Sequence, residues 1–456
     1  MRSYSYLTPF RLIPFWYGDL KQGLTTPSHL HLNQSLTPPQ GISPKESYPA
    51  PIFPRSFSVI SSSPHSYPPA YIHSSVAMIG YSMSGKSIFT RLANKAGIKV
   101  NGPDLWDIKI HNEKVYDRVL QGGSLGLGES YMDEWWDCER NDLLTERLTR
   151  VNIANDVKLS LQEKCRLLWS RIWNRQYGKG SHRGVEHYNV GNDLYTAMLD
   201  KNMTYSCGYW RSGAQDLDEA QVKKLDMICR KLNLKPGMRL LDLGCGWGSL
   251  MKYACTNYGT SAVGYTLADE QIALGQKFVG DLPIKFVKDN YLNASKRETD
   301  KFDAIVMVGS IEHCGAKNLR SLLEGMHKLL RDDGIILIHT IGNNTSLYAC
   351  DPFFDKYLFP NSVNPSPAQI TTAAENLFSL EDVHNFGEDY HTTLLEWNRR
   401  FQDAWPTLES RYSRRFKRLW EYYLHSVAGV FKARDLQLFQ FVFTKIGRKQ
   451  PYCRIS

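Results

Sequence analysis

The clearest patterning lies between residues 217 and 341. Leu217–Leu232 repeats apolar residues at helical spacing, and Met238–Leu243 follows as a short, mainly apolar strand. The turn Gly244-Cys245-Gly246-Trp247-Gly248 then leads into a helix from Ser249 to Ala254. Alternation continues with strands over Ser261–Tyr265, Ile284–Lys288, Phe302–Val308 and Gly334–Ile341, and helices over Asp269–Gln276 and Leu319–Leu330. Strands alternating with helices predict an α/β fold, a parallel sheet with helices on both faces. After Gly342 the pattern implies an insertion to about Asn361, two helical stretches, and further strand within Leu436–Ile446.

Upstream, the pattern predicts a small α+β domain over residues 81–150. Ser87–Ala96 is amphipathic and stops at Gly97, Asp107–His111 has strand character, and a helix capped by Asn112 ends at Gly122-Gly123. Gly123–Asp137, with Trp135 and Trp136 side by side, is expected to form an exposed loop or turn. Its tryptophans either pack into the core or meet a lipid or partner. Residues 151–183 form a basic linker with helix-like character at Leu161–Trp173, and a catalytic domain is expected over 184–448. Residues 1–80 carry no periodicity, are rich in Pro, Ser, Tyr and His, and contain only Asp19 and Glu46 as acids. Such a stretch cannot bury enough apolar surface to offset its ordering entropy, so disorder is expected. A transit peptide or an upstream extension would both accommodate it, with Met78 and Met83 as alternative starts.

Composition narrows the class. The chain has 456 residues and a formal net charge of +9, which favours polyanionic partners. With 25 Tyr and 11 Trp, an anionic lipid surface fits better than nucleic acid. No run of about 18 apolar residues supports a spanning helix. The 9 Cys include no C-x-x-C pair and no His cluster, which argues against a metal site or a disulfide framework and for a reducing, cytoplasmic setting.

The glycine turn carries the first chemical signal. Glycines at alternate positions allow positive φ and close approach to a bound molecule, while the following helix N-terminus presents free N–H groups. A pyrophosphate site wants G-x-G-x-x-G. Here the order is D-x-G-x-G-x-G, led by Asp242. That resembles the cofactor loop of class I S-adenosylmethionine (SAM)-dependent methyltransferases, and implies their Rossmann-like sheet.

A more specific likeness rests on H-Y-N-V-G-N-D-L-Y, Y-S-C-G-Y-W, L-D-L-G-C-G-W-G, S-I-E-H-C-G, H-T-I-G and F-G-E-D-Y-H-T-T in this order. Together with G-S-L-G-L-G-E-S-Y-M-D upstream, they resemble cyclopropane-fatty-acyl-phospholipid synthases from roughly Ser84 to Phe443. The resemblance implies methylene transfer from SAM to the double bond of an unsaturated phospholipid acyl chain, with bicarbonate as the base. It sets the bicarbonate among Cys207, Glu312, His339, Tyr390 and the backbone of Ile341. For the cofactor it implies Gly244, Gly246 and Gly248 at the methionine part with Asp242 leading the loop, and Tyr205 and Ser206 at the carboxylate. Thr266 and Gln271 would meet the ribose, and Asp289 and Asn290 the adenine. Taken singly, His339 resembles a core histidine, Cys207 a small buried residue, and Glu312 a strand cap. Val427 stands where some members carry a cysteine, so no covalent route through that position is open.

The acyl double bond lies inside a bilayer, so a peripheral position at the inner face of the membrane is expected, with a homodimer as a further implication. Arg411–Tyr423 is basic and aromatic at helical spacing. It can lie on an anionic surface, or present solvated charges while its aromatics enter the core. Two other functions compete: methylation of a small-molecule amine nitrogen, and a non-enzymatic membrane-surface protein with an inactive cofactor site.

Overall fold

Side-chain alternation along the central strands decides which core each residue enters. The computed structural model describes residues 84–151 and 191–455, which belong to one compact unit, and every structural statement concerns them. The extension over 1–80, the linker beyond Val151, and the motif residues His187–Val190 lie outside the described residues.

The N-terminal part comprises α1 (Gly85–Lys95), β1 (Lys109–Ile110), α2 (Val115–Met132), β2 (Trp136–Asp137) and α3 (Asn141–Arg150). After α4 (Asn192–Met198) and α5 (Leu217–Lys231) come β3 (Arg239–Leu243), α6 (Ser249–Tyr258), β4 (Ser261–Thr266), α7 (Asp269–Val279), β5 (Ile284–Lys288) and β6 (Phe302–Val308). Then follow α8 (Leu319–Leu329), β7 (Leu330–Asn343), α9 (Pro352–Tyr357), α10 (Pro367–Ala374), β8 (Phe378–Asn385), α11 (Glu388–Leu408), α12 (Arg414–Lys432) and β9 (Leu436–Lys445).

The sheet order is β5-β4-β3-β6-β7-β9-β8. Strands β3 to β7 pair in parallel, and β9 runs antiparallel between β7 and β8. Leu241, Ile305, Met307, Ile336 and Ile338 enter one core with α8. Their neighbours Leu240, Ala304, Val306, Ile335 and Leu337 enter the opposite core with α5 and α6. Each of the Leu, Ile, Val and Met side chains among them contributes about 1.5–3 kcal/mol of burial. The chain order reverses at β3, between β4 and β6, and the crevice outside the carboxyl ends of the strands there is the usual ligand position in an open α/β sheet. The α/β class and the strands from β3 to β7 agree with the pattern of the sequence.

Three expectations need correction. The segment after Gly122-Gly123 is not a loop: Gly123 alone is non-helical (φ 53°, ψ −131°), and helix resumes to Met132. Glycine permits this packing, because a Cβ at Gly126 would lie 2.2 Å from the Arg118 carbonyl oxygen and one at Gly128 2.3 Å from the Phe353 ring. Trp136 is fully buried, and its indole N–H donates to Leu127 O and Ser130 Oγ. Second, the insertion after Gly342 contains α9, and strand β8 was not foreseen. Third, the cations of the basic helical region are engaged with the protein itself. Arg411 pairs with Asp193, Arg414 with Glu134, Arg415 with Asp133, and Arg418 with Asp137, while Trp420, Tyr422 and Tyr423 are buried. The aromatics of that stretch thus lie in the core, while Arg411 and Arg414 stay 64% and 77% exposed.

Candidate active site

The strand β3 ends at Leu243, and the chain turns through three glycines in the left-handed half of φ space: Gly244 (109°), Gly246 (54°) and Gly248 (89°). The N–H groups of Gly244 and Cys245 both donate to Tyr265 O, which fixes the loop on β4. Ser310 Oγ donates to Leu243 O at 2.6 Å and closes the other side. A Cβ at Gly246 would meet no atom within 4 Å, so the backbone there borders open space.

That space is a cleft along the ends of β3, β4 and β5, and nine of the ten expected cofactor residues line it. Tyr205 and Ser206 come from the segment before α5, Asp242, Gly244 and Gly246 from β3 and its turn, Thr266 and Gln271 from β4 and α7, and Asp289 and Asn290 from the end of β5. The exception is Gly248, where a Cβ would point at the Phe286 ring, 2.8 Å away. Thr266 Oγ1 donates to Gln271 Oε1 at 2.7 Å, so the two expected ribose contacts are already oriented by each other. Burial pushes Asp242 up to about 7.

The five residues expected around the base lie off this cleft wall, deeper toward β7 and α11. Glu312 Oε1 accepts from Ile341 N and from Thr340 Oγ1, both at 2.8 Å, whereas Oε2 has no partner. The desolvated carboxyl is pushed up in pKa. His339 is driven well below the ordinary imidazole range by burial and then by Lys224 and Lys231, so the ring is neutral. The Gln440 side-chain amide nitrogen faces Nδ1 at 3.2 Å. An amide N–H only donates, so Nδ1 accepts and the ring proton sits on Nε2, which has no partner. Cys207 is fully buried, its thiol pushed up by that burial, and its Sγ lies 3.7 Å from Thr393 Oγ1 on α11. Tyr390, one turn earlier on α11, packs on Trp397 and Phe431. Cys207, Tyr390 and Phe386 share one apolar cluster with Ile341 against it, and the His339 ring meets Phe386 at 5.7 Å. Of the five, Glu312 and Ile341 are in direct contact, while His339, Cys207 and Tyr390 adjoin the same apolar cluster.

Lys224 and His313 also line the cleft, outside the expected cofactor set. Lys224 is 1% exposed and its Nζ donates to Ser206 Oγ at 2.6 Å; burial lowers its pKa to about 8. His313 lines the cleft and is held to about 4 by burial alone. A signal for Lys224 existed: Leu217, Gln221, Lys224, Ile228 and Lys231 share the stripe of α5 that faces the core, where a lysine needs a reason.

Comparison with known proteins accords with this geometry. A model of the mycolic acid cyclopropane synthetase family matches residues 177–441. Cyclopropane-fatty-acyl-phospholipid synthase of Escherichia coli strain K12 is 45% identical over 359 residues, covering 78% of this chain and 93% of that protein. A probable fatty acid methyltransferase of Pseudomonas putida is 32% identical over 274 residues, covering 57% of this chain and 68% of that one. Among solved structures, the cyclopropane synthase MmaA2 from Mycobacterium tuberculosis aligns with a TM-score of 0.53 at 27% identity, over 57% of this chain and 97% of its own. The mycolic acid cyclopropane synthase CmaA1, complexed with SAH and CTAB, gives the same TM-score at 28% identity, over 57% of this chain and 97% of its own. The chain thus belongs to the mycolic acid cyclopropane synthetase family and is an S-adenosylmethionine-dependent methyltransferase.

Proposed function

We propose that this enzyme converts the cis double bond of an unsaturated phospholipid acyl chain into a cyclopropane, with a bound bicarbonate as the proton acceptor. SAM supplies an electrophilic sulfonium methyl when bound, and the alkene is a weak nucleophile, so the surroundings must be dry and fixed. The chain's own residues meet that need. The glycine turn lets a ligand come against the backbone, with Thr266 and Gln271 suited to ribose hydroxyls and Asp289 and Asn290 to a base edge. Behind it, the cluster of Cys207, Phe386, Tyr390 and Trp397 excludes water.

The observation that carries the proposal is a pair of buried polar atoms without partners, Glu312 Oε2 and His339 Nε2, next to that apolar cluster. One accepts and the other donates. Bicarbonate offers a hydroxyl for the first and an anionic oxygen for the second, so the donor set fits it. The Ile341 N–H holds Glu312 Oε1, which would leave Oε2 for the ion. Among the described residues no helix is long and apolar enough to cross a membrane.

The test is mass spectrometry of monounsaturated phospholipid vesicles incubated with enzyme, SAM and bicarbonate. A gain of one methylene with loss of the double bond is expected. An unchanged mass with cofactor binding intact would overturn the lipid reading in favour of an amine substrate.

A further inference from the structure

The cleft wall holds two enclosed ionisable groups that the chemistry above leaves unused as a pair. Lys224 is 1% and Asp242 2% exposed, and both border the cleft. A buried charge is costly unless something of opposite charge or a full set of hydrogen bonds meets it. Lys224 donates to the neutral hydroxyl of Ser206 and feels Asp200, Cys207 and Asp242 only through space. Asp242 Oδ1 has no donor. Asp200, by contrast, is satisfied, since its carboxylate accepts from the Thr204 and Asn202 backbone.

The sheet order gives the cleft a direction. Asp289 follows β5 and Thr266 ends β4, so the groups suited to a nucleoside lie over those neighbouring strands. Asp242 lies one strand further on, in β3, with Ser206 and Lys224 beside it on the same cleft wall. A ligand lying along this axis with its nucleoside at β4–β5 brings its other end to a cation, a hydroxyl and a carboxylate. An α-amino acid, with one carboxylate and one ammonium, matches that set.

We propose that Lys224, acting with Ser206, is the residue that recognises the carboxylate of the cofactor's amino-acid end, with Asp242 facing the ammonium. The assignment rests on the reading of the cleft as a SAM site. It makes Lys224 a binding and specificity residue, and predicts that ligands lacking only the carboxylate are rejected because a buried cation is then left unmatched.

Titration calorimetry with S-adenosylhomocysteine and S-adenosyl-3-thiopropylamine, which differ only in the carboxylate, tests this. The unmodified enzyme should prefer S-adenosylhomocysteine by about 10- to 100-fold, the range for a hydrogen bond between charged groups. In Lys224→Met that preference should collapse to within about 3-fold while the affinity for the decarboxylated ligand changes little. If Lys224 only balances Asp200 and Asp242, both ligands weaken together and the preference survives, which would overturn the assignment. The unmodified enzyme gives a second readout that does not depend on the variant folding. The preference should fall as pH rises through about 8 and Lys224 loses its proton, once the separately measured titrations of the two ligand amines have been allowed for. A pH-independent preference would also overturn it. Binding of neither ligand overturns both this assignment and the cofactor reading beneath it.

Discussion

At the residue scale the carboxyl of Glu312 is divided between two tasks. Oε1 is committed to the Ile341 N–H and the Thr340 hydroxyl, and Oε2 is open. Glu312→Gln can keep Oε1 in place, so the fold should persist while the open position changes from an acceptor to a donor. Turnover is expected to fall by at least about 100-fold, the usual span for loss of an acid–base group, with cofactor affinity within a few fold. His339→Ala should act likewise. Steady-state rates beside calorimetry decide it, and unchanged turnover in both would remove the bicarbonate site. The glycines separate by what a methyl would strike. A Cβ at Gly244 would lie 2.3 Å from Ser310 Cβ, whereas one at Gly246 meets nothing. Both variants carry the strain of an alanine at positive φ, about 1–2 kcal/mol, and Gly244→Ala should lose a further ~1–3 kcal/mol from its clash, while both weaken cofactor binding. Chemical unfolding and binding of S-adenosylhomocysteine, measured together, separate the two. Much of this site was legible, because each expected residue sat inside its own motif. Lys224 was not, because a lysine on a helix is ordinarily a solvated charge, and only the position of its stripe against the sheet reveals its burial.

At the scale of elements, legibility followed local periodicity. Strands β3 and β6 and the middle of β7 are largely apolar and buried on both faces, and such a run is hard to mistake when glycines and helices bracket it. Strand β8 was missed for a physical reason. It is an edge strand with a register break between Leu380 and Asp382, and its Leu380 and Val383 are exposed at 45% and 38%, so it lacks a buried face to impose alternation. The second half of α2 was misjudged because glycine ordinarily disfavours helix; here Gly126 and Gly128 serve close packing instead. The same tertiary logic governs α12. Arg418 donates to Tyr131 O, Trp136 O and Asp137 Oδ1, and its guanidinium stacks 3.9 Å over the Tyr131 ring. Its side chain is 12% exposed, against 77% for Arg414, whose partner is Glu134 alone. Arg418→Ala should cost about 2–4 kcal/mol by stranding several acceptors, and Arg414→Ala less than about 1 kcal/mol. Equal losses in urea unfolding would show that α12 is not joined to the N-terminal part through Arg418.

At the scale of the whole molecule, the site sits where the two faces of the sheet and the α11–α12 layer converge, and the burial this requires leaves a mark on stability. His339 is neutral in the folded protein because its surroundings are dry and Lys224 and Lys231 oppose a further positive charge. In the unfolded chain it takes a proton near its ordinary value of about 6.5. Below that pH the unfolded state binds a proton that the folded state refuses, so this histidine makes the protein less stable as pH falls, and its penalty vanishes above about pH 7. Asp242, held up to about 7 by burial, works in the opposite direction across the same window, since the folded state then binds the extra proton. His313 and His384, both held to about 4, act in the same direction as His339, and Glu312 in that of Asp242, so the difference between enzyme and variant is the informative quantity. In His339→Gln the contribution of that histidine is gone and the others stay. The variant should therefore gain about 2 kcal/mol on the unmodified enzyme as pH is lowered from about 7 to about 5, whatever its loss at neutral pH. Urea unfolding of both proteins at these two pH values measures the change. A constant gap between them would mean that His339 accepts its proton in the folded state as readily as in water, so that its surroundings are neither dry nor opposed to a further positive charge.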